Sequence, residues 1–108
     1  MKRIYIAHPL RGGGVDPVEI EANVDRVTQI MRSLAAEEPD ALLFSPLHAF
    51  GYLDPLGPQD WVLRQCLEMV AICDELWVYG PWQKSVGCKR EVERARAMGK
   101  PVIFKELS

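Results

Sequence analysis

The sequence lacks the features that mark membrane and nucleic-acid-binding proteins. No apolar run approaches the length of a membrane span or a signal-peptide core, and Met1-Lys2-Arg3 leads directly into an apolar strand. The 13 Lys and Arg residues are scattered among 15 Asp and Glu residues, for a net charge of -2. Without a basic patch, DNA, RNA and anionic lipid are poor partners. We therefore expect a soluble, cytoplasmic protein that binds neither membranes nor nucleic-acid polymers.

Cysteine and histidine are scarce and do not form a metal or redox motif. Cys66, Cys73 and Cys88 have no C-x-x-C spacing and fall in apolar patterns, so we expect reduced thiols. His8 and His48, the two histidines, lack metal-ligand spacing. The sequence therefore predicts no metal site and no cofactor.

The common nucleotide-binding motifs are also missing. Arg11-Gly12-Gly13-Gly14 follows the first apolar run, but it lacks both the G-x-G-x-x-G spacing and a Walker Lys-Ser/Thr pair. The segment could still place a cation and a flexible backbone near an anion. The alternative is a surface loop with a solvated arginine.

The pattern of apolar residues predicts one α/β domain over residues 1–108. Four short runs that are apolar on both faces alternate with three amphipathic helical segments, which is typical of parallel strands covered by helices. Right-handed connections then favour a doubly wound, Rossmann-like or flavodoxin-like sheet of order 2-1-3-4, with helices on both faces. The predicted strands are Arg3 to Ala7, Ala41 to Phe44, Leu76 to Tyr79 and Pro101 to Phe104.

Start and stop signals delimit the three predicted helices. Asp16 as N-cap followed by Pro17 begins the first, and the second runs from about Pro58 to Cys73. Ser85 begins the third, and Gly99 is well suited to a left-handed turn at its end. With only the first helix on one face, the sheet is short of cover near its third and fourth strands. We therefore expect a second copy of the chain to bury that face in a homodimer or higher homo-oligomer.

Ligands of such sheets bind at the carboxyl ends of the strands where the strand order reverses. The segments His8 to Gly14 and Gly80 to Ser85 should therefore frame the site. If Ser85 caps a helix, the free N–H groups of the first turn form an anion site, and Gly87 lets a ligand approach closely. Glu91 lies one turn deeper on the same face, where a half-buried carboxylate needs an explanation. The alternative for Glu91 is an ion pair with Arg94.

Three further side chains have a functional and a structural interpretation. Tyr5 could point along its strand toward the site, or could be a core tyrosine bonded to backbone. His48 follows a strand and could reach the rim of the crevice, or make one local hydrogen bond. Trp82 could stack on a base or seal a dimer, or could pack within its loop.

The residues around these positions resemble the nucleoside 2-deoxyribosyltransferase-like superfamily over nearly the whole chain. The segment Tyr5 to Gly13 looks like the first strand and loop of the 2'-deoxynucleoside 5'-monophosphate N-glycosidase branch. Ser85-Val86-Gly87 followed by Glu91 is similar to the Ser-x-Gly-x-x-x-Glu signature. Small, often phage-encoded members share the Tyr-Ile-Ala-x-Pro start and the Gly-x-Trp before Ser-x-Gly.

This resemblance implies a small-molecule ligand, a nucleotide or nucleoside phosphate. Glu91 would attack the anomeric carbon and form a glycosyl-enzyme, with Tyr5 orienting the carboxylate. Ser85 and Gly87 would hold the 5'-phosphate, and Arg11 would help to neutralise it. Members of the superfamily are typically dimers.

The chain departs from the superfamily at two positions. Cys66 stands where the characterised enzymes carry an aspartate that serves the leaving base, and Pro9 replaces a serine of the first loop. A thiol is a poor substitute for a carboxylic acid. Protonation of the base then needs another group, such as His48 or Asp54. Two hypotheses follow: an N-glycosidase or deoxyribosyltransferase, or a protein of the same fold that binds a nucleotide-derived ligand without turnover.

Overall fold

The computed structural model describes residues 1–11 and 16–106. A four-stranded sheet and four α-helices make up the fold of these residues, together with one 3-10 turn at Trp82–Lys84. The elements, in chain order, are β1 (Lys2–Ala7), α1 (Pro17–Glu37), β2 (Ala41–Phe44), α2 (Pro46–Ala49), α3 (Asp60–Ile72), β3 (Glu75–Tyr79), α4 (Val86–Ala97) and β4 (Val102–Lys105).

The sheet is entirely parallel, with the strand order β2-β1-β3-β4. This order and the α/β class confirm the sequence-based prediction. Tyr5, at the centre of β1, is in register with Phe44 on one side and Leu76 on the other. The carboxyl ends of β1 and β3 therefore lie side by side, where the strand order reverses.

The two faces of the sheet bury separate cores because side chains alternate along each strand. Ile4 and Ile6 pack with Leu34 of α1 on one face, together with Trp77 and Tyr79 of β3. The opposite face is covered by α3 and α4. Its buried residues are Tyr5, Ala7, Cys66, Val70, Cys73, Leu76, Val78, Cys88, Val92 and Ala95.

The helix signals are confirmed at three ends. Asp16 Oδ1 accepts a hydrogen bond from the Val18 N–H at 2.9 Å, so α1 is capped as expected. Ser85 caps α4 in the same way, with its Oγ accepting from the Cys88 N–H at 3.2 Å. Gly99 follows α4 with a φ of 71°, the predicted left-handed turn.

Two short elements were not predicted, and one helix begins late. The helix α2 and the turn Trp82–Lys84 have four and three residues, too few to show a helical period in sequence. The helix α3 begins at Asp60 rather than near Pro58, and Gln59 precedes it without a side-chain cap.

The sheet face beside α1 is less exposed than the sequence suggested. Trp77 is only 7% exposed, and the Lys105 ammonium lies 4.1 Å from the centre of its ring. A groove of about 420 Å³ remains between α1 and β4. Burial of this face by a second copy stays a prediction. Within residues 1–11 and 16–106, the model contains no helix with the length and apolar character that a membrane crossing requires.

Gly99→Ala should lower the free energy of unfolding by about 1 kcal/mol, because a Cβ at a positive φ is strained. No atom lies within 4 Å of that Cβ, so the effect should come from the backbone alone. Urea denaturation monitored by circular dichroism measures the change. Gly99→Asn is the matched control and should lose less stability than Gly99→Ala, since asparagine tolerates this conformation. Equal losses of stability in both variants would contradict a left-handed turn at Gly99.

Candidate functional site

A cleft of about 230 Å³ lies at the carboxyl end of the sheet, as predicted for the point where the strand order reverses. The loop after β1 contributes His8 and Leu10 to its wall. Helix α4 contributes Ser85, Gly87 and Glu91. The remaining wall is mainly apolar and comes from α1, α2, α3 and the loop between α2 and α3.

Glu91 is the most unusual side chain of this cleft. It is 7% exposed, and its Oε2 atom is buried without a hydrogen-bond partner among the described residues. Arg94 is exposed and makes no ion pair with it in the part of the chain that the structure describes, so the alternative interpretation of Glu91 is wrong. Burial raises the pKa of the Glu91 carboxyl to about 7, and the neighbouring Tyr5 hydroxyl opposes part of this shift. The carboxyl group can therefore exchange a proton near neutral pH.

Tyr5 lies beneath Glu91 and is completely buried. Its hydroxyl is close to the Glu91 carboxyl and the Cys66 thiol, but neither contact has hydrogen-bond geometry, and the hydroxyl has no partner. Burial, and then the charge of Glu91, raise the pKa of Tyr5 well above its usual value. Tyr5 is thus a core residue, as one interpretation predicted, but its neutral hydroxyl lies beside Glu91 and bonds no backbone group among the described residues.

The N-terminus of α4 opens into the same cleft through Ser85 and Gly87. A Cβ on Gly87 would lie 3.9 Å from both Ser85 Oγ and Glu91 Oε1, which is ordinary van der Waals contact. Packing within the protein therefore does not require glycine here. The absent side chain instead keeps the surface above Glu91 open.

His8 lines the cleft as a neutral imidazole. Its Nδ1 donates to the Pro9 carbonyl at 2.7 Å, while Nε2 is buried without a partner. Burial lowers the pKa of His8, the hydrogen bond to Pro9 opposes this, and the charge of Arg26 lowers it further. Gly80 makes room for the ring, since a Cβ there would lie 3.2 Å from Nε2.

His48 and Trp82 do not reach the cleft. Both ring nitrogens of His48 are engaged, Nδ1 with Ser45 Oγ at 2.6 Å and Nε2 with Thr28 Oγ1 at 2.9 Å. The ring lies in a separate, shallow depression beside β2. Trp82 packs against the core and stacks on Phe104 with ring centres 5.2 Å apart. Both residues therefore make structural contacts, but with more distant partners than expected: His48 makes two hydrogen bonds rather than one local bond, and Trp82 packs on β4 rather than within its own loop.

The glycine loop after β1 is only partly described. Arg11 is half-buried, and its Nε has no hydrogen-bond partner within residues 1–11 and 16–106. It is not among the described residues that line the cleft. The predicted contributions of Gly12 and Gly13 lie outside the described residues. Among those described, no group of three or more His, Cys, Asp or Glu side chains is arranged to hold a metal ion.

One feature of the site was missed at the sequence level, and another was predicted only in part. Asn23, on the buried side of α1, donates to the Leu10 carbonyl at 2.9 Å and so holds the loop after β1. Its position within the apolar stripe between Ile20 and Val27 is the signal that could have revealed it. Cys66 was interpreted as core, yet it also lines the cleft beside Glu91.

Residues 2–105 match the model of a protein family described as a domain of unknown function, DUF7768. The chain belongs to the DUF7768 family. No curated protein matches it in sequence.

Solved structures show which fold this DUF7768 member adopts. A conserved protein from Enterococcus faecalis V583 superposes with a TM-score of 0.67 at 21% identity, covering 96% of this chain and 62% of the other. The Clostridium botulinum CMP N-glycosidase BcmB superposes with a TM-score of 0.63 at 19% identity, covering 97% of this chain and 71% of the other. The 2-deoxyribosyltransferase from Bacillus psychrosaccharolyticus superposes with a TM-score of 0.62 at 22% identity, covering 96% of this chain and 72% of the other. The chain therefore shares the fold of these three proteins, and it spans less than two thirds of the length of the Enterococcus protein.

Glu91→Gln should stabilise this DUF7768 protein above neutral pH. Because the folded-state pKa of about 7 lies above the ordinary value of 4.5, the contribution of Glu91 to stability is full below pH 4.5 and is lost as pH rises through 7. The free energy of unfolding of the variant should exceed that of the unmodified protein by up to about 3 kcal/mol at pH 8.5, and by much less at pH 5. Urea denaturation across this range measures the difference. The exposed Glu93→Gln is the control, and parallel stability curves for the protein and Glu91→Gln would refute the shifted pKa.

Proposed function

We propose that the protein is an N-glycosidase or N-deoxyribosyltransferase that acts on a nucleotide or nucleoside 5'-phosphate. The observation that carries this proposal is Glu91, a buried carboxyl with an unpartnered oxygen that lines a cleft next to the N-terminus of α4. An unsatisfied buried polar atom costs about 1–3 kcal/mol, so it needs a compensating role. Attack on an anomeric carbon is such a role.

In this proposal the phosphate binds at the N-terminus of α4. The N–H groups of the first turn point outward there, and the helix dipole favours a negative charge. Ser85 uses its Oγ to cap Cys88, which orders this turn, and Gly87 leaves room for the phosphate. Arg11 supplies a positive charge from the loop after β1.

The sugar then lies over Glu91 and the base lies against the apolar wall. Phe50, Leu53 and Val62 offer a surface suited to a flat ring. Glu91 forms a C1'–O bond as the C1'–N bond to the base breaks. The neutral Tyr5 hydroxyl lies close to this carboxylate and would orient it by donating a hydrogen bond when the substrate binds. Water or a second base then releases the sugar from Glu91.

The fold supports this class of reaction because two of the similar structures are named as enzymes of it. One is a CMP N-glycosidase and the other a 2-deoxyribosyltransferase. A pKa of about 7 leaves a large fraction of Glu91 ionised at neutral pH, which a nucleophile requires.

The second candidate function is ligand binding without turnover, and Cys66 is the observation that favours it. Burial raises the pKa of this thiol to about 11, although the Tyr5 hydroxyl partly opposes the shift. Such a thiol is too weak an acid to protonate a departing base efficiently at neutral pH. A protein with this cleft and no acid would hold its ligand unchanged.

A panel of ribo- and deoxynucleoside 5'-monophosphates should yield free base with at least one member, detected by chromatography. Glu91→Gln should lower this rate on the order of a thousandfold, because it removes the nucleophile. Glu93→Gln on the same helix is the matched control and should not change it. The rate should rise as pH increases through about 7, since the ionised form reacts. Binding in calorimetry without base release would instead select the second function.

Gly87→Ala should weaken nucleotide binding by at least tenfold while the protein stays folded. A methyl group fits within the protein, 3.9 Å from its nearest neighbours, and alanine is the better helix former. It would, however, fill the space above Glu91 that the ligand needs. Calorimetric titration and thermal melting measure the two effects. Glu93→Ala, at an exposed position of the same helix that does not line the cleft, serves as control. Unchanged affinity in Gly87→Ala would remove Gly87 from the site.

A further inference from the structure

The proposed glycosyl transfer requires a proton donor for the departing base. A base leaves as an anion unless a nitrogen or oxygen of the ring is protonated as the C1'–N bond breaks, and a positioned acid accelerates such a step by about 10²–10⁴. The donor must line the same cleft as Glu91 and must carry a proton that it can give. Few described side chains meet both conditions.

Four other candidate donors are excluded by their surroundings. Cys88 lines the cleft, but burial raises the pKa of its thiol to about 12. The buried Cys66 thiol holds its proton too tightly, with a pKa raised to about 11. His8 lines the cleft, but its one proton is on Nδ1 and is donated to the Pro9 carbonyl, and burial disfavours a second proton. His48 lies outside the cleft with both ring nitrogens engaged.

Asp54 remains, and its loop holds it at the cleft. Its Oδ1 accepts from the Leu56 N–H at 2.9 Å, and its backbone carbonyl accepts from the Gly57 N–H at 3.0 Å. Gln59 fixes the same loop by donating to the Gly57 carbonyl at 3.1 Å. The side chain of Asp54 lines the cleft together with Glu91, and its Oδ2 makes no hydrogen bond to the described residues.

We propose that Asp54 is the catalytic acid that protonates the departing base, a role that rests on the proposed attack by Glu91. The Asp54 proton passes to the base as the C1'–N bond breaks, and the electron pair of that bond goes to the base. The Asp54 carboxylate then accepts a proton from the water that cleaves the bond between C1' and Glu91. The aspartate thus regains its proton, and the products are free base and sugar phosphate.

The two carboxyl groups have different environments, which suits two different roles. Glu91 is buried at the floor of the cleft, whereas Asp54 is exposed on a loop at its wall. A base bound between them would exclude water and disfavour two negative charges in one cleft. This arrangement suits a nucleophile at the floor of the cleft and a proton donor at its wall.

The test compares substrates whose bases differ in their need for a proton. Ordinary guanosine 5'-monophosphate, or the best substrate of the panel, needs an acid, whereas N7-methylguanosine 5'-monophosphate carries a positive charge and its base leaves neutral. Asp54→Asn should slow release of the ordinary base about a hundredfold and release of the methylated base less than about fivefold. Asp60→Asn, an exposed aspartate that does not line the cleft, is the matched control and should change neither rate.

Each outcome separates this proposal from the one on which it rests. Equal slowing of both bases by Asp54→Asn, or no slowing of either, overturns the role of Asp54 while leaving Glu91 as nucleophile. Glu91→Gln should slow both substrates alike, and release that survives in Glu91→Gln overturns the proposed function itself. Release of neither base by the unmodified protein overturns both proposals. Thermal melting of Asp54→Asn shows whether it is folded, and Asp54→Glu, which restores a carboxyl group, should recover part of the lost rate.

Discussion

The removal of the Glu91 carboxyl from water is the physical constraint on which the site depends. A carboxylate is stable in water and costly in an apolar interior, and here its buried Oε2 has no hydrogen bond to offset the cost. The protein bears this cost because α4 fixes Glu91 between the sheet and the cleft. The result is a carboxyl group with a pKa of about 7, suited to gaining and losing its charge at neutral pH.

The sheet and the loops explain how such an arrangement is maintained. The strand order brings the ends of β1 and β3 together, so Tyr5 lies below Glu91 and His8 beside it. Asn23 anchors the loop after β1 by its bond to Leu10, and the left-handed Gly80 leaves space for His8. These contacts are structural, but each of them positions a group that lines the cleft. The same few residues therefore stabilise the fold and shape the cleft.

Sequence reasoning predicted the fold well because the fold depends on local and repetitive signals. Apolar runs, the Asp16 cap and the Gly99 turn are each readable within a few residues, and the strand order follows from the handedness of the connections. The position of Glu91 was predicted for the same reason, from its spacing after Ser85. Its nearly complete burial was not predicted, because that burial depends on the packing of α3 against α4, which no local sequence pattern encodes.

Side chains on irregular segments were predicted less well. His48 and Trp82 both follow strands, yet a short helix turns the first toward Thr28 and a 3-10 turn places the second on Phe104. Asp54 was one of several acidic candidates, and only the turn that it forms with Leu56 places it at the cleft wall. Residues in loops acquire their role from turn geometry, which composition does not determine.

The most direct test of the account is to trap the covalent intermediate on Glu91. A nucleoside 5'-monophosphate with fluorine at the 2' position of the sugar slows the second step, so the sugar phosphate should remain attached to the protein. Peptide mass spectrometry should then locate the added mass on Glu91, with none in Glu91→Gln. A substrate that releases its base while no adduct forms, or an adduct on another residue, would contradict the central claim.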